Sequence, residues 1–241
     1  MQTNNMEHRI TDYWNKRSRD FSRVKRQELA GKNASLWFDL ISAHLPEKKP
    51  QKILDVGTGA GFFSILFALH GHEAVGIDMS PEMIREARIN AKGANCVADF
   101  SVMNAQQLDF ADQCFDVVIS RNLTWTLPDV AQAYREWRRV LKPMGVLLNF
   151  DSDCGKTVFS KSDSQNHVHA TLTEETINEC NAIKSELKIS YCRRPEWDVN
   201  FLSEIGFNVT YDDDVSPLVY QDQNLQYDDI ALFGIYAQKC D

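Results

Sequence analysis

Apolar and polar positions alternate along this chain in two different periods, and the change of period marks out the elements. From residue 52 to 151 short apolar runs take turns with longer helical stripes. "KILDV", "EAVGID", "CVADFSVM", "FDVVIS" and "GVLLNFD" read as five strands, nearly continuous in apolar residues, as strands covered on both faces are. "FFSILFALHG" is apolar on all sides and predicts a buried helix. Met83, Ile84, Ala87 and Ala91 line one face of the next helix, which Ser80 caps and Pro81 opens, with Gly93 at its end. Val130, Ala133, Tyr134, Trp137, Val140 and Leu141 share a stripe on a helix from about 128 to 141, and Lys142-Pro143 stops it. Strand and helix in strict alternation predict right-handed crossovers and a doubly wound sheet.

Outside that stretch the pattern weakens. The first fifty residues are polar and helix-prone; Trp37, Phe38, Leu40, Ile41 and Leu45 fit one amphipathic helix, and "PEKKP" at 46–50 reads as a linker. Lys16 to Arg26 reads as a solvated helix face. Residues 152–196 are polar and irregular, with one helix from Thr173 to about Leu187. A helix carrying Trp197, Phe201, Leu202 and Ile205 ends at Gly206. "FNVTYDD" and "LFGIYAQK" read as the last two strands; no helix is evident between them, so they can pair antiparallel. The expected fold is α/β: a Rossmann-like, doubly wound, mostly parallel seven-stranded sheet with an antiparallel last strand. It divides into an N-terminal helical lid (1–50), a core (51–151), a cap inserted after strand five (152–196), and the last helix and strands (197–241). The cap follows a strand C-terminus, the side on which open α/β sheets bind ligands.

Composition narrows the partners. The 241 residues are 43% hydrophobic, enough for one sizeable core, and the net charge of −8 without a basic stripe argues against nucleic acid. The longest apolar run, Phe62 to Leu69, is too short to span a bilayer. "MQTNNMEHRI" has no apolar signal core, so a cytoplasmic protein is expected, as monomer or homodimer. Six cysteines without a CxxC pair are expected to be free.

The candidate chemistry begins at "DVGTGAG". Asp55, Gly57, Thr58, Gly59 and Gly61 sit between the first strand and a helix N-terminus, where backbone amides can face a ligand. A pyrophosphate-binding loop spaces its glycines G-x-G-x-x-G; here the spacing is G-x-G-x-G, which disfavours a dinucleotide. Asp78 ends the second strand, where a carboxylate can accept from both hydroxyls of a ribose.

These features resemble the class I S-adenosylmethionine (AdoMet) dependent methyltransferases of the small-molecule type. "ILDVGTGAGFFSILFALHGHEAVGIDMSPEMI" is similar to the first two motifs of that family, and "FDVVISRNLTWTLPDVAQAYREWRRVLKPMGVLLNFD" to its fourth strand through its fifth. The resemblance implies methyl transfer from AdoMet, with S-adenosylhomocysteine as product, to a small-molecule acceptor by in-line displacement. It implies that Asp55 and the backbone of Gly57 to Gly61 hold the methionine moiety. Asp78 would take the ribose, Met79 would pack on the adenine, Asn104 and Ala105 would sit at the adenine edge, and Asn122 or Leu123 would line the methyl route. Asn104 stands where the family usually has Asp, and Pro143-Met144-Gly145 where it has Pro-Gly-Gly. An NAD(P)-dependent oxidoreductase and a non-catalytic AdoMet-binding regulator are the alternatives.

Acceptor-side candidates are less constrained. Trp125 could stack on a flat acceptor or pack as a lid aromatic. Tyr13 and Trp14 belong to a helix that the resemblance folds over the cofactor. His167 and His169 lie on one side of an extended "HVH" and read as loop histidines, as a base or substrate contact, or as a metal pair. Arg121 could pair an acceptor carboxylate or a surface acid, Arg193 or Arg194 an anionic acceptor, and Cys154, Cys180 and Cys192 could converge.

Overall fold

The computed structural model describes residues 2–46, 49–162, 164 and 166–240; Glu47 and Lys48 of the expected linker lie outside them. Seven strands form one sheet: β1 (Lys52–Val56), β2 (Glu73–Asp78), β3 (Asp99–Val102), β4 (Phe115–Arg121), β5 (Leu141–Asp151), β6 (Phe207–Asp212) and β7 (Phe233–Lys239). Their order is β3-β2-β1-β4-β5-β7-β6. β7 is antiparallel to both of its neighbours, and the other described pairings are parallel. The expected antiparallel strand is therefore an insertion between β5 and β6.

The period-two alternation of the strands sorts the core into two faces. Leu54, Val118 and Leu147 point to one side and meet Tyr134 and Trp137 of α5 (Val130–Val140). Ile53, Val117, Ile119, Leu148 and Phe150 point to the other. There they meet Phe63 and Phe67 of α3 (Phe62–Leu69) and Trp37 of α2 (Lys32–Ser42). Trp37 is fully buried with its ring edge-on to Phe63 and Phe150, at 5.2 and 4.9 Å between centroids. Helix starts follow the capping signals. The Ser80 hydroxyl accepts from the Met83 amide (3.1 Å) at the head of α4 (Pro81–Gly93). Thr173 does the same for Thr176 at the head of α6 (Glu174–Glu186).

Two boundaries differ from the sequence reading. β3 begins at Asp99 rather than Cys96, because the Ala94 and Cys96 amides bond back to Asn90 and Ala91 and finish α4. β5 reaches back to Leu141, which pairs with Phe115 across a register shift. The turn inside it puts Met144 at φ 60°, where the usual glycine would sit without strain.

The largest difference is at the N-terminus. α1 (Gln2–Ala30) is one 29-residue helix; Lys16, Arg19, Arg23 and Arg26 are solvated as expected, but the helix has a second polar face that is not. Arg17, Ser18, Ser22, Lys25 and Glu28 are all buried, turned against the sheet's C-terminal edge and α4.

The C-terminal edge carries a second buried polar group. In α7 (Glu196–Glu204), Asp198 accepts two bonds from Arg194, at 2.7 and 2.8 Å, and one from the Tyr134 hydroxyl at 2.6 Å. Arg194 also donates to Thr124 (2.6 Å) and approaches Asp151 at 3.5 Å. Asp151 in turn accepts from the Thr124 hydroxyl and the Trp125 amide, fixing the loop after β4. Replacing Arg194 by methionine would strand two buried carboxylates. The expected loss is about 3–5 kcal/mol of unfolding free energy by urea titration; a loss below about 1 kcal/mol would show that the ion cluster is not what holds this edge.

Candidate functional site

β1 delivers the chain into a loop whose shape is set by one carboxylate. Asp55 accepts from the Thr58 hydroxyl (2.6 Å), the Ser64 amide (3.0 Å) and the Ser64 hydroxyl (2.9 Å). Gly57 and Gly59 are both left-handed, with φ 69° and 53°. A Cβ on Gly57 would lie 2.8 Å from Leu123, and one on Gly59 would lie 2.9 Å from Phe21. Both glycines line a long cavity along the C-terminal edge of the sheet; Asp55, Thr58 and Gly61 do not. Asp55 is spent on folding the loop, Thr58 is one of its partners, and Gly61 packs on Ala87 at the head of α3.

Asp78 closes the same end. Its carboxylate accepts from the amides of Gly59 (3.0 Å) and Ser80 (2.8 Å). Burial outweighs those bonds and pushes its pKa up to about 6. Met79, Asn104 and Ala105 line the cavity beside it. The Asn104 oxygen already accepts from the Gln106 amide, and its amide group donates to Glu7 of α1 at 3.0 Å. Glu7, which the sequence reading missed, thereby brings a carboxylate to this edge. Asn122, at φ 54°, Leu123 and Trp125 follow β4 into the cavity wall, and the Trp125 ring meets Phe159 edge-on.

Arg121 settles one of its two alternatives: its partner is a protein acid, buried rather than on the surface. Its guanidinium donates to both oxygens of Glu28, at 2.9 and 2.8 Å, and Lys25 donates to the same carboxylate at 2.7 Å. Glu28 is fully buried, while Lys25 and Arg121 line the cavity. Two cations thus share one anion. Burial, and then the neighbouring Arg121 charge, pull the Lys25 pKa down to about 8.

The "HVH" segment runs beside residues 225–228, held by the bond from the Val168 amide to the Gln226 carbonyl (2.9 Å). The two imidazoles converge on a carboxylate: His167 Nε2 and His169 Nε2 lie 3.4 and 3.3 Å from the two oxygens of Asp228. Arg17 Nη2 lies 3.1 Å from His169 Nδ1, and arginine can only donate. Nδ1 is therefore the acceptor, and the proton of a neutral ring sits on Nε2, facing Asp228. His167 Nδ1 likewise accepts, from the His169 amide at 3.1 Å. In this arrangement neither neutral ring keeps a free lone pair. Of the two, only His169 lines the cavity. Burial raises the Asp228 carboxyl, but the His169 hydrogen bond and the nearby His167 and Arg17 outweigh it and hold it below its ordinary range. Tyr13 lines the cavity with its hydroxyl accepting from Arg17 Nη1 at 3.0 Å. Cys154 and Cys180 also line it, both with thiols pushed up by burial, whereas Cys192 does not. Arg194 is in the buried cluster at the β5 edge, and Arg193 pairs with Glu196 on the surface.

The family pattern for a methyltransferase domain matches residues 54–149, which is the stretch that builds the glycine loop, Asp78 and the post-β4 wall. Residues 54–149 form a class I methyltransferase domain. The domain type uses AdoMet, and the cradle fits it: a glycine backbone without Cβ atoms, a carboxylate at the β2 end and apolar walls at Met79 and Ala105. The chain is 30% identical to the malonyl-[acyl-carrier protein] O-methyltransferase of Pseudescherichia vulneris over 146 residues, 58% of this chain and 57% of that protein. It spans about half the length of the first curated relatives it matches. Two solved structures share the fold. One is a SAM-dependent methyltransferase from Aquifex aeolicus (TM-score 0.56, 18% identity, 83% of this chain and 88% of that one). The other is the [4+2]-cyclase SpnF (TM-score 0.59, 18% identity, 85% and 80%). Among the described residues no helix is long and apolar enough to cross a membrane.

The shared Glu28 carboxylate gives a stability test. Glu28→Gln leaves two buried cations without an anion and is expected to cost about 3–5 kcal/mol in urea unfolding. Lys25→Met leaves a one-to-one pair and is expected to cost under about 1 kcal/mol. Lys25 is depressed to about 8 from 10.5, so between those values the unfolded chain binds more protons and stability rises with pH. The Lys25→Met variant should lose that rise; equal costs for the two variants would contradict the shared-anion arrangement.

Proposed function

We propose that this protein transfers a methyl group from AdoMet to a small-molecule acceptor held between α1, the loop after β4 and the 152–196 cap. The observation that carries this reading is that the glycine loop and Asp78 open into the same cavity as Arg17, His169, Trp125 and Phe159. A cofactor end and an acceptor end are continuous, as a direct transfer requires. AdoMet supplies a methyl group already activated on a sulfonium. The chain's own residues then bind, orient and exclude water. Gly57, Gly59, Asn122 and Leu123 border the methionine part, Asp78 takes the ribose hydroxyls, and Met79, Asn104 and Ala105 border the adenine. α1 roofs the cavity, and Trp125 with Phe159 forms an aromatic wall for the acceptor. Both cap histidines have their lone pairs engaged, so the arrangement favours an acceptor atom that is already nucleophilic. Residues 1–50 then act as lid, 51–151 as the AdoMet-binding core and 152–196 as the acceptor cap.

A second reading, in which this fold serves something other than methyl transfer, stays open because a [4+2]-cyclase shares the fold and no single residue marks the methyl transfer step. Turnover separates the two. In calorimetry, AdoMet and S-adenosylhomocysteine are expected to bind with micromolar dissociation constants and NADH not to bind. Methyl transfer to an acceptor panel, read as S-adenosylhomocysteine released, is expected; AdoMet binding with no release across the panel favours the non-catalytic reading.

Asp78 provides the pH test. Its pKa is pushed up to about 6 in the free protein, and only the ionised form accepts from both ribose hydroxyls. Affinity for S-adenosylhomocysteine should be flat above about pH 7 and weaken by about tenfold per unit below 6. Asp78→Ala should weaken binding by at least about tenfold and abolish that pH dependence. Undiminished affinity in the variant would remove Asp78 from the ribose site.

A further inference from the structure

Arg17 is a buried cation with unused donors. Its side chain lies on the cap side of α1 and is 6% exposed, yet among the described residues no carboxylate lies within ion-pair distance of it. Among the described residues its hydrogen-bond partners are neutral groups, the Tyr13 hydroxyl and His169 Nδ1, and the Tyr13 and Trp14 rings flank it at 5.6 and 5.2 Å. A guanidinium has five N–H donors; here two are engaged, and the Nε donor is buried without a partner. Arg17 lines the cavity. An unpaired buried donor on a charged group is costly unless something supplies the missing acceptor.

The charge of the wall points the same way. Lys25, Arg121 and Arg17 are three cations, against the carboxylates of Glu28 and Asp228. Asp228 has no hydrogen bond to Arg17; it lies behind His169, close enough for the Arg17 charge to act on it. Away from Asp78 the cavity wall thus carries one surplus positive charge inside a protein of net charge −8. Much of the remaining cap-side lining is apolar, with Phe159, Ile177, Leu172 and Ile230 beside the hydroxyls of Ser152 and Ser160.

We propose that the acceptor is a small, largely apolar carboxylic acid whose carboxylate seats on Arg17. This rests on the methyl-transfer reading for its role, though not for its chemistry. A carboxylate can take Nε–H together with a second N–H of the fork, which is the geometry in which arginine binds carboxylates best. The apolar body of the acid then lies against Phe159 and the cap. His169 is a positioning residue here: its Nδ1 holds the guanidinium, and Asp228 fixes its ring from behind.

The test uses the intact chain and phenylacetate, hexanoate and cinnamate, each beside its primary amide, by calorimetry with and without saturating S-adenosylhomocysteine. At least one acid is expected to bind, with its amide weaker by about tenfold or more. Arg17→Met should erase the preference for acid over amide, and Arg17→Lys should keep part of it. S-adenosylhomocysteine affinity should change less than about twofold in both variants. An amide that binds as well as its acid, an undiminished preference in Arg17→Met, or no binding by any of the three acids overturns the proposal. The acid–amide comparison on the wild-type chain stands even if a variant fails to fold. Failure of wild-type protein to bind S-adenosylhomocysteine, with the acid preference intact, would strike the methyl-transfer reading and leave the anion site standing.

Discussion

A buried carboxylate has to be matched, and the placement of Glu28 shows how much structure that requirement can organise. Glu28 sits near the end of α1, and its oxygens are met by Arg121 at the end of β4 and by Lys25 one turn earlier on the same helix. The helix is thereby fastened to the middle of the sheet at the edge where the glycine loop opens. Asn15 on the same helix accepts from the Ser80 hydroxyl, and Asn90 joins Ser22 to the Ala60 carbonyl. The roof of the cavity is held by polar contacts along its length as well as by the buried Ile10, Tyr13 and Val24.

That choice explains where the sequence was legible. The sheet and its helices follow from apolar periodicity, because each strand is covered on both faces and each flanking helix buries one stripe. Trp137, Val140 and their neighbours on α5 are where the 3.6-residue spacing puts them, fully buried against β5. α1 misleads the same reasoning. Residues 16–26 have the composition of a solvated face, yet Arg17, Ser18, Ser22 and Lys25 are buried because they face a cavity and a polar seam on α4. A periodicity argument scores polarity, and polarity does not tell water from a site.

The site divides along the same line. The loop glycines, Asp78, Met79 and the post-β4 residues were visible as a motif of fixed spacing within the first half of the chain. Glu7 and Asp228 carry no local signal; each matters only because tertiary structure brings it to Asn104 or to the two histidines. The histidine pair was legible as a pair, since alternate residues of an extended segment share a side. What they converge on was not, because Asp228 arrives from a stretch some sixty residues downstream. In the structure both rings meet Asp228, and His169 alone reaches the Arg17 guanidinium.

The strand order has a consequence for how such a chain is made. β5 is completed at Asp151, but its outer edge is covered only when β7 arrives, roughly eighty residues later. β6, synthesised in between, has no place in the sheet until β7 slides into the gap and gives it a partner. During that interval a nascent chain leaving the ribosome carries a nearly complete parallel sheet with one apolar edge open to other strands. The closing step joins distant segments and is slow for that reason. The insertion that completes the sheet is therefore the point at which newly made molecules are most exposed to mispairing with one another.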